Sequence, residues 1–185
     1  MGLRSMVKTE RCPMEVSQRM KRMTTILDKL QREPTMQLAN MQDIGGCRAV
    51  FQTISQLRQV EQRLKRNRPP LRYSDYVVRP RASGYRGVHV IVGYDDADYR
   101  QRAIEVQLRT TVMHEWAITV ERLSGRVRDD LKSGRGPDEL LTWLAAISEA
   151  MAIEEVGEVV PTSLITRISD LRTHALPYLE VRPNG

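Results

Sequence analysis

The sequence predicts an α/β (α+β) fold, a mixed β-sheet flanked by helices, and three observations predict it. Polar Glu105, Gln107 and Arg109 alternate with apolar Ile104, Val106 and Leu108. Successive strand residues point to opposite faces, so this stretch reads as a strand with one buried and one polar face. Residues 55–66 place Leu57, Val60 and Leu64 on one helical stripe. Strand patterns lead the chain with helices interspersed, and helices dominate its end. That order suits a mixed sheet with helices packed against it. The polar row itself is open to two readings, a solvated strand face or a site.

Taken in order, residues 1–13 read as irregular. Val16 to Lys21 forms a strand that sets Arg19 and Lys21 on one face, whereas a helix would set them about 200° apart. Thr25, Ile26, Leu27 and Asp28 match a capping box, so a helix starts near Thr24 or Thr25. It turns Ile26, Leu27 and Leu30 inward and closes at Pro34. Residues 47–53 read as a strand, and Pro69-Pro70 ends the helix over 55–66. Residues 73–78 and 87–94 read as strands joined by a basic loop. Residues 95–101 form a polar turn that makes a hairpin with the Glu105 strand. Helices follow over 111–123, 137–153 and 163–173, with Met113 and Trp116 as core residues. Without internal repeats or low-complexity segments, residues 1–185 read as one domain. Its motif core covers about 15–125 and a C-terminal helical extension about 137–180.

At 185 residues the chain can bury a sizeable core. No apolar run reaches the roughly 18 residues of a membrane span, and the N-terminus lacks an apolar signal core. Cys12 and Cys47 have no zinc or redox spacing, and Cys47 reads as a small buried residue in an apolar run. A cytoplasmic protein without a membrane partner is expected. The formal charge of +6 and a sequence pI near 9.6 suit an anionic partner, either a nucleotide or RNA or DNA. Basic residues cluster at 19–22, 65–72, 79–86 and 126–135, between apolar segments, which favours a folded basic groove over a disordered arm.

Four constellations carry chemistry. Arg19, Lys21 and Lys29 can clamp a polyphosphate, with arginine also able to stack on a base; a solvated basic face is the alternative. In Asp43-Ile-Gly-Gly-Cys-Arg48, an aspartate at the mouth of a strand suits Mg²⁺, which takes few carboxylates plus phosphate oxygens. Gly45-Gly46 permits close backbone approach, and a plain Asx turn would use the same residues. The loop from Tyr73 to His89 holds Arg79, Arg81, Gly84, Tyr85 and Arg86. One aromatic among cations suits stacking on a base beside phosphates, although Tyr85 could equally be a packed aromatic and His89 a structural residue. The Glu105 strand comes last and leads into a helix with His114 and Trp116. His114 has no partner at metal-ligand spacing.

Together these motifs resemble the synthetase domain of the RelA/SpoT family, the alarmone synthetases, over residues 15–125. The family order is Arg-x-Lys, a downstream Lys, Asp-Ile-x-Gly-x-Arg, Asp-Tyr-Ile/Val, a Pro–basic loop, Gly-Tyr-x-x-x-His and Glu-x-Gln-x-Arg-Thr, then a helix with Trp-Ala. This chain has each of them, and its size is similar to that of a stand-alone small synthetase. The resemblance implies a nucleotidyltransferase-like fold and pyrophosphate transfer from ATP to the ribose 3′-hydroxyl of GDP or GTP, with AMP released. It implies that Arg19 and Arg48 flank adenine and that Lys21 and Lys29 hold the ATP phosphates. Asp43 and Glu105 would be the catalytic and Mg²⁺-binding carboxylates. Tyr85 would stack on the acceptor base, and Arg81 and His89 would contact phosphates, with Gln107 and Arg109 beside Glu105.

The chain departs from the family pattern at Arg122, where His is frequent, and in lacking a later Tyr. It has Ser74 where some long members carry Lys, and Arg81 where many have Lys. No His-Asp hydrolase motif occurs, so alarmone hydrolysis is not expected. A second class shares the site: toxic relatives of toxin–antitoxin pairs that pyrophosphorylate the 3′-CCA end of tRNA or adenosine nucleotides. Residues 65–72 and 126–135 are the candidate tRNA surfaces. A non-catalytic RNA- or nucleotide-binding module is the third class. Leu140, Leu141, Leu144 and Ile147 form an apolar stripe for packing against the sheet, for a homo-oligomer (dimer or tetramer) or for an antitoxin protein.

Overall fold

The computed structural model describes residues 3, 5, 8, 14–20, 27, 30, 31, 34, 35, 45–95 and 101–180. The helix expected before Pro34 falls largely outside these residues, as do Cys12, Lys21, Lys29 and Asp43. The chain divides into two compact units, residues 1–74 with 88–110 and residues 75–87 with 111–185.

The first unit carries a five-stranded sheet. Its strands are β1 (Met14–Met20), β2 (Gly45–Phe51), β3 (Arg72–Asp75), β4 (Val88–Asp95) and β5 (Gln101–Thr110), in the spatial order β1-β2-β5-β4-β3. The β2–β5 pair is parallel, while β1–β2 and β4–β5 are antiparallel, so the sheet is mixed and the expected hairpin is present. Helix α1 (Ile54–Asn67) packs on β2 and β5. It starts where Thr53 Oγ1 accepts from Gln56 N (3.3 Å), and it ends ahead of Pro69-Pro70. Leu57, Val60 and Leu64 are fully buried, as are Ala49, Phe51, Val88, Val90 and Leu108 of the sheet. Each large apolar side chain buried this way stabilises the unit by about 1.5–3 kcal/mol. Glu61 of α1 is buried too, and three donors satisfy it: Arg58 Nη1 (2.6 Å), Tyr73 Oη (2.6 Å) and Lys65 Nζ (3.3 Å).

Two expectations need correction here. The strand predicted over 73–78 stops at Asp75, because its Oδ1 accepts from Val77 N (3.0 Å) and Val78 N (3.2 Å) and turns the chain. Cys47 is half-buried rather than buried: its register partner Gln18 is exposed, so this part of the face stays open.

The second unit is helical. It holds the 75–87 loop, α2 (Thr111–Val127), a 3₁₀ turn (Leu131–Ser133), α3 (Asp138–Glu155) and α4 (Thr162–Leu179). Its core is Tyr85, Trp116, Ala117, Val120, Leu123, Leu131, Leu140, Leu144 and Ala175, with Leu141 and Ile147 packed against it. The leucine stripe of α3 is therefore spent inside this helical unit. Helix α4 runs past the expected end at 173 and through Pro177. Proline removes one helical hydrogen bond there, but Ala175 is fully buried and Tyr178 and Leu179 pack on the core, which keeps the last turn folded.

Candidate active site

Strand register assembles the polar face. Directly paired residues share a face of a sheet, so Gly46 and Ile91 flank Glu105, and Arg48 and His89 flank Gln107. Arg19 in β1 is the register partner of Gly46. Gly46 leaves a gap in this row, and it must be glycine: a Cβ there would lie 2.7 Å from the Glu105 carbonyl oxygen.

The side chains on β4 and β5 form one chain of hydrogen bonds. Glu105 Oε1 faces His89 Nδ1 at 2.8 Å, and Gln107 Nε2 donates to Glu105 Oε2 at 2.6 Å. Arg109 Nη2 donates to Gln107 Oε1 at 3.2 Å. This order fixes the states of the groups. A guanidinium only donates, so Gln107 must turn its carbonyl to Arg109 and its amide to the carboxylate. With Glu105 ionised, the proton of His89 sits on Nδ1. Arg109 is 1 % exposed and Gln107 4 %, whereas the side chains of Glu105 and His89 retain 16 % and 14 %. Only the last two present polar atoms to a ligand. In this geometry Gln107 and Arg109 orient the Glu105 carboxylate. Burial in a low dielectric strengthens each link.

The second group of expected residues lies in the helical unit. Tyr85 is 1 % exposed and is bracketed by aromatic rings. Tyr76 meets it edge-on at 5.8 Å between centroids, and Trp116 lies tilted at 6.4 Å. Two cations sit over its ring, Lys132 Nζ at 5.1 Å and the Arg81 guanidinium at 5.5 Å. Arg81 also donates to Tyr76 Oη (3.0 Å). Stacking a base on Tyr85 therefore requires these side chains to swing aside, Lys132 from its pair with Glu121 (2.7 Å) and Arg81 from Tyr76. Lys132 was not among the expected site residues. Ser83 Oγ donates to its carbonyl (2.9 Å) across 49 residues of sequence, and no local pattern signals such a contact.

Glu105 fits a hard divalent cation. It is a part-exposed carboxylate whose oxygens are oriented by His89 and Gln107, the outer-shell support that a metal-binding carboxylate uses. Among the described residues no group of three or more His, Cys, Asp or Glu could hold a metal ion. Among the described residues no helix is long and apolar enough to cross a membrane.

The first unit carries a polar row with a glycine gap on a mixed sheet and the second an aromatic-cationic loop, and comparison with known proteins gives the class. Residues 18–122 match the family described as a region found in RelA / SpoT proteins, and the chain belongs to that family. It is 29% identical over 170 residues to the GTP pyrophosphokinase YjbM of Bacillus subtilis (strain 168), covering 85% of this chain and 78% of that protein. Its fold is that of the small alarmone synthetase 1 from Bacillus subtilis, solved bound to its product pppGpp. The TM-score is 0.69 at 24% identity, with 94% of this chain and 87% of that one covered. A GTP pyrophosphokinase family protein from Streptococcus pneumoniae superposes with a TM-score of 0.66 at 28% identity, covering 94% and 88% of the two chains.

Proposed function

We propose that the protein is an alarmone synthetase, a pyrophosphokinase that moves the β,γ-pyrophosphate of ATP to the ribose 3′-hydroxyl of GDP or GTP. The observation that carries this reading is the oriented Glu105 carboxylate, held between His89 and Gln107 within the family region. In the step, the 3′-oxygen of the acceptor attacks the β-phosphorus of ATP. The O3′–Pβ bond forms as the bond from Pβ to the α,β-bridging oxygen breaks, and that electron pair leaves with AMP. Glu105 takes the hydroxyl proton. Its acceptance is favoured by a fixed geometry in which the carboxylate needs no reorganisation.

The remaining roles follow the resemblance. Arg19 and Arg48 flank the adenine, Lys21 and Lys29 hold the ATP phosphates, His89 contacts a phosphate, and Tyr85 receives the acceptor base with Arg81 beside it. Asp43 and Glu105 hold Mg²⁺, which when bound neutralises charge on the triphosphate and orients it. A small nucleotide suits the surface better than tRNA does, because cations of the basic clusters are engaged within the fold. Arg68 stacks on Tyr94 (3.8 Å), Lys65 on Tyr73 (4.2 Å), and Arg135 pairs with Asp130 (2.8 Å).

The test is thin-layer analysis of γ-labelled ATP and Mg²⁺ with GDP, GTP, ATP and deacylated tRNA offered in parallel. Label on GDP or GTP is the expected result. Label on tRNA or ATP alone would replace the alarmone reading with the toxin class, and no transfer to any acceptor would end the catalytic reading.

A further inference from the structure

We propose that helix α3 is the clamp that shapes the Tyr85 loop, with Glu155 and Ser148 as positioning residues for the acceptor nucleotide. The acceptor half of this statement rests on Tyr85 being the base platform. The loop has hydrogen bonds of its own around Tyr85: Gly84 N donates to Arg81 O (2.8 Å), Arg81 N to Tyr85 O (3.1 Å), Tyr85 N to Ser83 Oγ (3.4 Å) and Tyr76 N to Gly87 O (2.9 Å). Three contacts with α3 hold it from outside. Ser148 Oγ donates to Gly84 O at 2.5 Å, on the residue before Tyr85. Arg86 Nη1 pairs with Glu155 Oε2 at 3.1 Å, on the residue after it. Gly84 itself lies against the helix, where a Cβ would stand 2.8 Å from Ala145 Cα and 2.9 Å from Ser148 Cβ. Tyr85 is thus gripped on both sides in sequence.

The spacing on α3 suits the task. Ser148 and Glu155 are one heptad apart, about 20° from perfect alignment on a straight helix, so one helix face serves both contacts. The ion pair is nearly buried, with 10 % and 5 % of its side chains exposed. Glu155 Oε1 is buried with no hydrogen-bond partner among the described residues. Such a pair is poor value for stability, since apolar residues would join loop and helix as firmly. What a guanidinium–carboxylate pair adds is direction. It fixes Arg86, and with it the backbone that carries the Tyr85 ring.

The experiment compares the full chain with Glu155→Gln and Ser148→Ala. It reads acceptor KM, ATP KM and kcat, thermal midpoints, and amide exchange over residues 81–87. Glu155→Gln should raise acceptor KM about tenfold and Ser148→Ala about threefold, with ATP KM within about twofold, because only the acceptor loop is loosened. Exchange at the Arg81 and Gly84 amides should quicken in both. Equal shifts in the two KM values, or unchanged exchange over the loop, would overturn the clamp. Should Glu155→Gln leave Arg86 unpaired and unfold the protein, Ser148→Ala carries the same comparison. If the parent chain uses neither GDP nor GTP, the alarmone reading fails by itself, and loop exchange still decides whether α3 holds the loop.

Discussion

On the sheet, Glu105, Gln107 and His89 are set by strand register: each sits opposite a known partner, and one hydrogen-bond chain ties the row together. The Tyr85 loop has no register. Its residues are set one by one, Gly84 by Ser148, Arg86 by Glu155 and Ser83 by the Lys132 carbonyl, from 49 to 69 residues away. The difference teaches where each part is vulnerable. The row should tolerate loss of an outer member by degrees. The loop should loosen with each anchor lost, and most where a new side chain also clashes with α3, as at Gly84.

Four substitutions test that contrast, in falling order of effect. Glu105→Gln removes the group that takes the proton and should lower kcat by about 10³-fold, with the melting temperature unchanged. A variant retaining a tenth of the activity would take Glu105 out of the chemistry. Gly84→Ala comes next. Its φ of +86° is strained for alanine, and the new Cβ meets Ala145 and Ser148. Urea melts should show destabilisation of about 2–3 kcal/mol, with acceptor use lost as well; a neutral outcome would mean the loop is not fixed against α3.

Arg109→Lys probes the gentler side of the contrast. Lysine keeps the charge but not the fork, so Gln107 loses a fixed donor. A fall in kcat of about tenfold with both KM values retained is expected, from one weakened hydrogen bond. A change in acceptor KM alone would make Arg109 a nucleotide contact after all.

The smallest effect concerns Asp130. Partial burial acts to raise its carboxyl, but hydrogen bonds from Ser133 and Arg135 and the charge of Arg135 outweigh that and hold it below the ordinary value of 3.8. A lowered folded value contributes stability that is complete above the ordinary pKa and lost as pH falls through the folded one. Asp130→Asn should therefore flatten the acid side of the melting-temperature profile below about pH 4, by no more than about 0.5 kcal/mol because the pair is solvent-screened. Parent and variant should differ at neutral pH and converge in acid; a difference that persists undiminished in acid would point to packing instead.

Much of the sheet was legible because its signals are local. Alternation around Glu105, the stripe of 55–66 and the hairpin spacing each depend on residues within a few positions of one another. The polar row was legible for the same reason, since a period of two puts Glu105, Gln107 and Arg109 on one face. Which of them stays open to a ligand was not legible, because burial depends on what covers the face. Asp75 ended its strand early through a side-chain turn that competes with the ladder. The last helix was expected to end at 173, but core packing of Ala175 and Leu179 carried it on through Pro177. Lys132 and Glu155 left no trace in the sequence, for their partners lie far along the chain.

The most direct test of the central claim is a ³¹P NMR time course of ATP, Mg²⁺ and GTP with the purified chain. Transfer of a pyrophosphoryl group at the β-phosphorus predicts AMP in one-to-one ratio with a guanosine product carrying two new phosphorus signals. Release of ADP with a single new phosphate, or ATP loss without a modified acceptor, would contradict it.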